Sequence, residues 1–188
     1  MRKFFKALYP TLILAAICLV VALALSSTNM VTKDKIAQIE EQKAQEAMNR
    51  VLPGEYELKT VEDTEYYEVT NDSGVIGYIF ITSDNGYGGE VRVMTAVLTD
   101  GTIKAIEILD VSNETPGLGQ KATEETFYGQ FAGMSGELTV KKSGANAEAG
   151  EVEAITGATR TSNGVTGAVN KALALCQKIS GEGEQDEE

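Results

Sequence analysis

Four hydroxyl side chains crowd into residues 155 to 165, Ile-Thr-Gly-Ala-Thr-Arg-Thr-Ser-Asn-Gly-Val: Thr156, Thr159, Thr161 and Ser162, set among Gly157, Ala158 and Gly164. A hydroxyl becomes a good nucleophile when a neighbouring base takes its proton. The chain has no histidine, and the nearest ionisable neighbours are Arg160 and Glu153. The cluster is therefore poorly equipped to activate itself and better suited to binding. At a helix start, free backbone N–H groups and the positive end of the helix dipole favour an anion, and small residues let a phosphate come close. The same residue types also serve as plain helix caps, and Thr161 or Ser162 can fill that role.

The remaining sequence removes most other chemistries. The two cysteines, Cys18 and Cys176, are far apart and form no CxxC pair. Iron–sulfur and zinc-thiolate sites within this chain are excluded, and without histidine so are a His-ligated haem and a Ser-His-Asp triad. Redox work would need an organic cofactor. A buried apolar role is the expectation for Cys176. No glycine cluster carries the lysine of a phosphate-binding P-loop. Gly117 to Ala122, Gly-Leu-Gly-Gln-Lys-Ala, matches GxGxxA by pattern, but Pro116 and antiparallel strands precede it where a dinucleotide fold needs a βαβ unit. Asn71 and Asn113 begin glycosylation sequons by pattern only.

The hydroxyl cluster must be positioned by the elements around it. A final helix is predicted after it, with Val165, Val169, Ala172, Cys176 and Ile179 on one apolar stripe. Before it, four β-type runs are separated by turn signals: residues 66–70, 75–83, 90–98 and 102–111, divided by Asn71 to Gly74, by residues 84–89 and by Asp100-Gly101. Sequential strands joined this tightly must be antiparallel, because parallel neighbours need crossovers of a dozen or more residues. Residues 122–133 predict a short helix with Phe127 and Phe131 one turn apart, and a Gly/Ala-rich loop follows.

Toward the N-terminus, Arg2, Lys3 and Lys6 precede residues 7–25, which hold no charged side chain. As a helix that run is about 28 Å long, close to the hydrocarbon thickness of a bilayer. It predicts a transmembrane anchor with residues 1–6 in the cytoplasm and the chain beyond Ser26 outside. A cleaved secretory signal is the alternative reading, and the length of the run counts against it. Residues 31–52 predict an amphipathic stalk helix, ended by Leu52-Pro53-Gly54. The body of the domain is then 53–180, and residues 181–188 form an acidic, solvated tail. The formal net charge of −12 argues against a nucleic-acid partner, because phosphate binding needs a basic surface. The fold class expected is α+β: an antiparallel sheet with flanking helices behind an N-terminal transmembrane helix.

The stretch Glu-Ala-Ile-Thr-Gly-Ala-Thr-Arg-Thr-Ser-Asn-Gly-Val (153–165) resembles the flavinylation motif of the FMN-binding domain family. Residues 85–94 (Asn-Gly-Tyr-Gly-Gly-Glu-Val-Arg-Val-Met), 114–121 (Glu-Thr-Pro-Gly-Leu-Gly-Gln-Lys) and 52–54 resemble further family blocks in the same order. Size and single anchor are similar to the G subunits of Rnf ion-translocating electron-transport complexes, relatives of the larger NqrC subunits of sodium-pumping NADH:quinone oxidoreductases.

The resemblance implies that Thr159 is esterified to the phosphate of FMN by an external flavin transferase, which would explain why no base accompanies it. It implies Thr156, Gly157, Ala158, Thr161 and Ser162 around the phosphate. Glu114, Thr115, Gly117, Leu118 and Gly119 would line the flavin, with Glu114 and Thr115 hydrogen-bonding the ring or ribityl chain and Leu118 packing on the isoalloxazine. The motif's usual aspartate is here Glu153. No catalytic residue and no metal are implied. The function implied is electron transfer on covalent FMN within an Rnf-type ferredoxin:NAD oxidoreductase, with the other subunits as partners and no independent turnover. Four rivals stand beside it: a stand-alone flavoprotein for extracellular electron transfer, an NqrC-like subunit of a sodium-pumping NADH:quinone oxidoreductase, an assembly protein without flavin, and a free-standing reductase.

Overall fold

The computed structural model describes residues 13–23, 25–26, 43–61, 64–144 and 148–183. It divides into two compact units, Met1–Ala44 and Gln45–Glu188. In the first, residues 13–23 are helical and present Leu14, Ile17, Leu19, Val20 and Leu23 to the outside. No helix among the described residues is long and apolar enough to cross a membrane. Residues 1–6 of the predicted cytoplasmic end, 7–12 and 24 of the predicted anchor, 27–30, 31–42 of the predicted stalk and 184–188 of the predicted acidic tail lie outside the described residues.

The second unit is built on a five-stranded meander, β1 (Glu55–Val61), β2 (Thr64–Asn71), β3 (Gly74–Asn85), β4 (Glu90–Leu98) and β5 (Ile103–Asp110), in spatial order β1-β2-β3-β4-β5. Every pair is antiparallel. The turns form where the sequence carries side chains that bond their own backbone. Ser73 N–H donates to Asn71 Oδ1 at 2.8 Å, and Thr102 N–H donates to Asp100 Oδ1 at 2.8 Å. The glycines Gly74 and Gly101 take the positive φ these turns need.

Strands β2 to β5 are the four that the sequence predicts; β1 is an addition. Its sequence, Glu-Tyr-Glu-Leu-Lys-Thr-Val, places charges at alternate positions and leaves Leu58 exposed. That pattern belongs to an edge strand with one neighbour, where charge discourages pairing with other chains. Lys59 reaches across to Glu68 of β2 at 2.7 Å.

Both faces of the sheet are covered. On one face α1 (residues 43–51) contributes Ala47, Met48 and Val51, with Leu52 just after it, to a cluster with Val69, Ile79, Met94 and Ala96. On the other, the C-terminal helix (Thr159–Gly183) packs Val165, Ala168, Val169, Ala172, Leu173 and Cys176 onto Phe80, Val91, Val93 and Val97. The predicted stripe is therefore the buried face of this helix, with Ile179 partly buried at its end. Strand β4 feeds both clusters alternately, so residues 93–97 are buried without interruption. Each large side chain so buried contributes about 1.5–3 kcal/mol relative to exposure. Thr82 of β3 locks the C-terminal helix in place by donating to the Ala168 carbonyl at 2.7 Å.

Between β5 and the C-terminal helix the chain is less regular than expected. The helix predicted over 122–133 is broken into a four-residue α2 (Glu125–Tyr128) between 3-10 turns at Gly119–Thr123 and Gly129–Phe131; the C-terminal helix is thus α3. Glycine follows α2 directly and recurs at Gly133 with φ +81°, which weakens any longer helix. Phe127 and Phe131 still meet edge to face, 5.7 Å apart, against the α3 side of the sheet. The Gly/Ala-rich loop joins the two strands of a second small sheet, β6 (Thr139–Lys141) before it and, parallel to β6, β7 (Glu151–Glu153) at its end. That pair is absent from the sequence-based expectation, because three-residue strands carry too little periodicity to register.

Candidate functional site

Chain geometry at the start of α3 is set by a tight turn. Ala158 N–H donates to the Ile155 carbonyl at 2.9 Å, and Gly157 has φ +77°. A turn with positive φ at its third residue strongly prefers glycine there. Ser162, buried, fixes the turn from behind: its Oγ donates to the Ala158 carbonyl at 3.1 Å and accepts Ile155 N–H at 3.0 Å. Thr159 then opens α3 with its side chain exposed. Among the described residues its hydroxyl has no hydrogen-bond partner.

Thr161 faces inward and donates to Glu114 Oε2 at 2.6 Å. Glu114 is 3% exposed, and its other oxygen accepts Tyr87 N–H at 2.8 Å and Gly88 N–H at 3.0 Å. A buried carboxylate is stable when donors satisfy it, and here three do. Arg160 Nε donates to the Gly86 carbonyl at 3.0 Å. The start of α3, the loop after β5 and the β3–β4 hairpin tip are thereby tied together. Glycines let them approach: a Cβ on Gly119 would lie 2.4 Å from Glu114 Oε2, and one on Gly164 2.9 Å from the Asn85 carbonyl oxygen.

Those three segments enclose a groove of about 410 Å³ lined by Tyr87, Glu114, Thr115, Leu118, Gly119, Gly157, Ala158, Arg160 and Thr161. Its volume lies within the range of small-molecule sites. On the other side of the turn, a smaller cleft of about 280 Å³ includes Thr156, Glu153, Gln130, Ser143 and Lys121 in its lining. Glu153 Oε1 accepts Gly144 N–H at 2.6 Å, and the Ser143 and Thr156 hydroxyls are 2.7 Å apart. Glutamate at this position thus draws residues 143–144 toward Thr156.

Most of the sequence-predicted residues converge. Glu114, Thr115, Leu118, Gly119, Gly157, Ala158 and Thr161 share the groove, and Thr159 lies between two residues that line it. Thr156 belongs to the neighbouring cleft, Ser162 is buried behind the turn, and Gly117 supplies the positive φ of the 115–118 bend. The expectation that Thr161 or Ser162 caps the helix is corrected: α3 begins two residues earlier, at Thr159. Both hydroxyls instead make tertiary and turn contacts. Glu114 lines the groove with both oxygens already holding protein donors, two on Oε1 and one on Oε2. Sequence reasoning misses Tyr87 and Arg160 as groove residues. The signal for Tyr87 is an aromatic set alone among the glycines of residues 85–89.

Residues 86–174 match the FMN-binding domain family, and residues 3–51 match the RnfG N-terminal region. The chain is 36% identical to the G subunit of the Na⁺-translocating ferredoxin:NAD⁺ oxidoreductase complex of Acetobacterium woodii, over 90% of this chain and 91% of the relative. It is 32% identical to the G subunit of the proton-translocating ferredoxin:NAD⁺ oxidoreductase complex of Clostridium ljungdahlii, over 87% and 88%. Among solved structures, NqrC of Shewanella oneidensis shares the fold, with a TM-score of 0.55 at 23% identity over 63% of this chain and 60% of that one. The α+β architecture, the flavin-domain match across the groove and the near full-length likeness to these relatives agree: the chain belongs to the family of G subunits of ion-translocating oxidoreductase complexes, with an FMN-binding domain over residues 86–174.

Proposed function

We propose that this chain is the membrane-anchored flavoprotein subunit of an Rnf-type ion-translocating ferredoxin:NAD oxidoreductase complex, carrying electrons on FMN esterified to Thr159. The observation that carries the reading is the exposed Thr159 at the first position of α3, beside a groove of flavin-compatible size. The residues present fit the group. The first amides of α3 lack a carbonyl one turn earlier and suit a phosphate, Arg160 adds a cation, and Gly157 leaves the turn open to close approach. Leu118 and Tyr87 give the groove an apolar surface for a ring.

When bound, FMN supplies reversible electron transfer, and the protein supplies position and electrostatics. Thr159 anchors the phosphate, Thr156, Gly157, Ala158, Thr161 and Ser162 form the turn and helix start around it, and Thr115 offers a hydroxyl at the groove rim. Electrons come from and pass to neighbouring subunits of the complex. A flavin transferase of the maturation machinery installs the group.

The apolar run 7–25 anchors the chain as a single pass, with residues 1–6 in the cytoplasm, a stalk over 31–52, the flavin domain over 53–180 outside and an acidic tail at 181–188. The helical, outward-facing apolar residues at 13–23 support that anchor. The match of residues 3–51 to the RnfG N-terminal region supports a place in the complex over a stand-alone flavoprotein. The decisive experiment is mass spectrometry of the Thr159-containing peptide from the native host: the expected mass is that of the peptide plus FMN less water. An unmodified peptide from assembled, active complex would overturn the attachment.

A further inference from the structure

Two side-chain amides bracket the small parallel sheet. Gln130 Oε1 accepts Glu153 N–H at 2.8 Å and its Nε2 donates to the Glu153 carbonyl at 3.3 Å, so one side chain makes both backbone bonds that a neighbouring strand would make to β7. Asn170 of α3 does the same just before β6. Leu138 N–H donates to its Oδ1 at 2.9 Å, and its Nδ2 donates to the Leu138 carbonyl at 2.8 Å. Between the two amides, β6 and β7 pair over three residues each. Two short strands are marginal by themselves, parallel ones more so, and the amides stand where outer strands would.

The two clamps hold different stretches of chain. Asn170 holds the entry to β6, whereas Gln130 holds the last residue of β7, which runs straight into the Ile155–Ala158 turn and then Thr159. Gln130 itself stands on a firm base. It lies in the 3-10 turn Gly129–Phe131, whose Phe131 is fully buried and meets Phe127 edge to face. On the opposite edge of β7, Ala154 N–H donates to the Lys141 carbonyl at 2.8 Å. The attachment turn is thus fixed from behind by Ser162 and along its incoming strand by Gln130.

We propose that Gln130 is a positioning residue for flavin attachment: standing in for a third strand beside β7, it fixes the direction in which the turn presents the Thr159 hydroxyl to the transferase. The proposal rests on the flavin reading above and deepens it. With flavin adenine dinucleotide as donor, a Thr159 Oγ–P bond forms and the bond from that phosphorus to the bridging diphosphate oxygen breaks. AMP leaves with that oxygen, and the hydroxyl proton passes to water. Attacking and leaving oxygens lie roughly in line in such displacements, so the reaction depends on the angle of approach. A misplacement of about 1 Å costs up to about a hundredfold in rate.

The test uses the full-length chain, made in a host without the transferase, purified in detergent and incubated with purified transferase and flavin adenine dinucleotide. Initial rates of flavin incorporation are read by in-gel fluorescence over a range of chain concentrations, and denaturant unfolding is measured on the same samples. Gln130→Met, which keeps the length and loses both bonds, is expected to lower kcat on the order of tenfold with KM little changed. Gln130→Asn, one methylene too short to span both groups, is expected to slow attachment as well, and it carries the test if the Met variant does not fold. Asn170→Leu is expected to cost comparable stability yet be labelled at the wild-type rate, because the strand it holds does not lead into the turn. Folded Gln130 variants labelled at the wild-type rate would overturn the proposal, as would a raised KM at unchanged kcat or equal slowing in Asn170→Leu. Wild type that takes up no flavin would instead overturn the reading on which the proposal rests.

Discussion

The Thr161 hydroxyl donates to Glu114 Oε2 at 2.6 Å, joining the first turn of α3 to a loop 47 residues earlier in the chain. The bond is buried at both ends, with Thr161 1% and Glu114 3% exposed. Removing the donor leaves a buried carboxylate short of one partner, and losses of this kind cost about 1–3 kcal/mol. Thr161→Val is therefore expected to lower unfolding free energy by about that amount. Glu114→Gln, which sets an amide N–H₂ against donors, should cost at least as much. Denaturant unfolding of the two single variants and the double variant measures this, and purely additive effects would show that the bond does not couple the two elements.

Thr159 contributes nothing comparable, because its hydroxyl is exposed and, among the described residues, without a protein partner. Thr159→Ala should unfold within about 1 kcal/mol of wild type while losing all covalent flavin. Thr161→Ala should keep its flavin at reduced stability. In-gel flavin fluorescence after denaturation separates the two, and signal surviving in Thr159→Ala would move the attachment elsewhere.

The hairpin tip tolerates no side chain at Gly88. A Cβ there would lie 1.9 Å from the Asn113 carbonyl oxygen, a backbone atom, so the tip must shift for alanine to fit. Gly88→Ala is expected to destabilise by about 1–3 kcal/mol, the usual range for overpacking. Gly101→Ala is a useful contrast: nothing lies within 4 Å of its Cβ, but φ is +80°, so its cost is one of backbone strain alone. Thermal unfolding compares them, and only Gly88→Ala should change flavin emission.

Burial pushes the Cys176 thiol above its ordinary value, and only the thiolate reacts readily. Alkylation of Cys176 should be very slow in the folded protein at neutral pH and become fast in denaturant, with the same midpoint as loss of secondary structure. Fast modification under native conditions would mean that α3 opens locally.

The meander and the buried stripe of α3 are legible in the sequence because their signals are periodic. Alternation and turn residues such as Asp100-Gly101 give the strands, and Val165, Val169, Ala172 and Cys176 repeat at helical spacing. Strand β1 is harder to read, because at a sheet edge its alternate charges leave few apolar residues and Leu58 is exposed where a buried face would be sought. The site divides in the same way. Thr159 and the turn before it lie in one continuous motif, but the role of Glu114 depends on which amides meet its oxygens, and those belong to residues 26 and 27 positions earlier. Tyr87 stands out only once the contacts of its neighbouring glycines are known.

The second face of the sheet carries a consequence for handling the protein. Ala47, Met48, Val51 and Leu52 cover Val69, Ile79, Met94 and Ala96, so the short helix before β1 acts as a lid over the smaller of the domain's two apolar clusters. A fragment shortened from the N-terminus keeps this face covered while it retains residues from Gln45 onward. Cut a few residues later, the same sheet becomes an open apolar plate and the fragment self-associates, with the groove on the far side still complete.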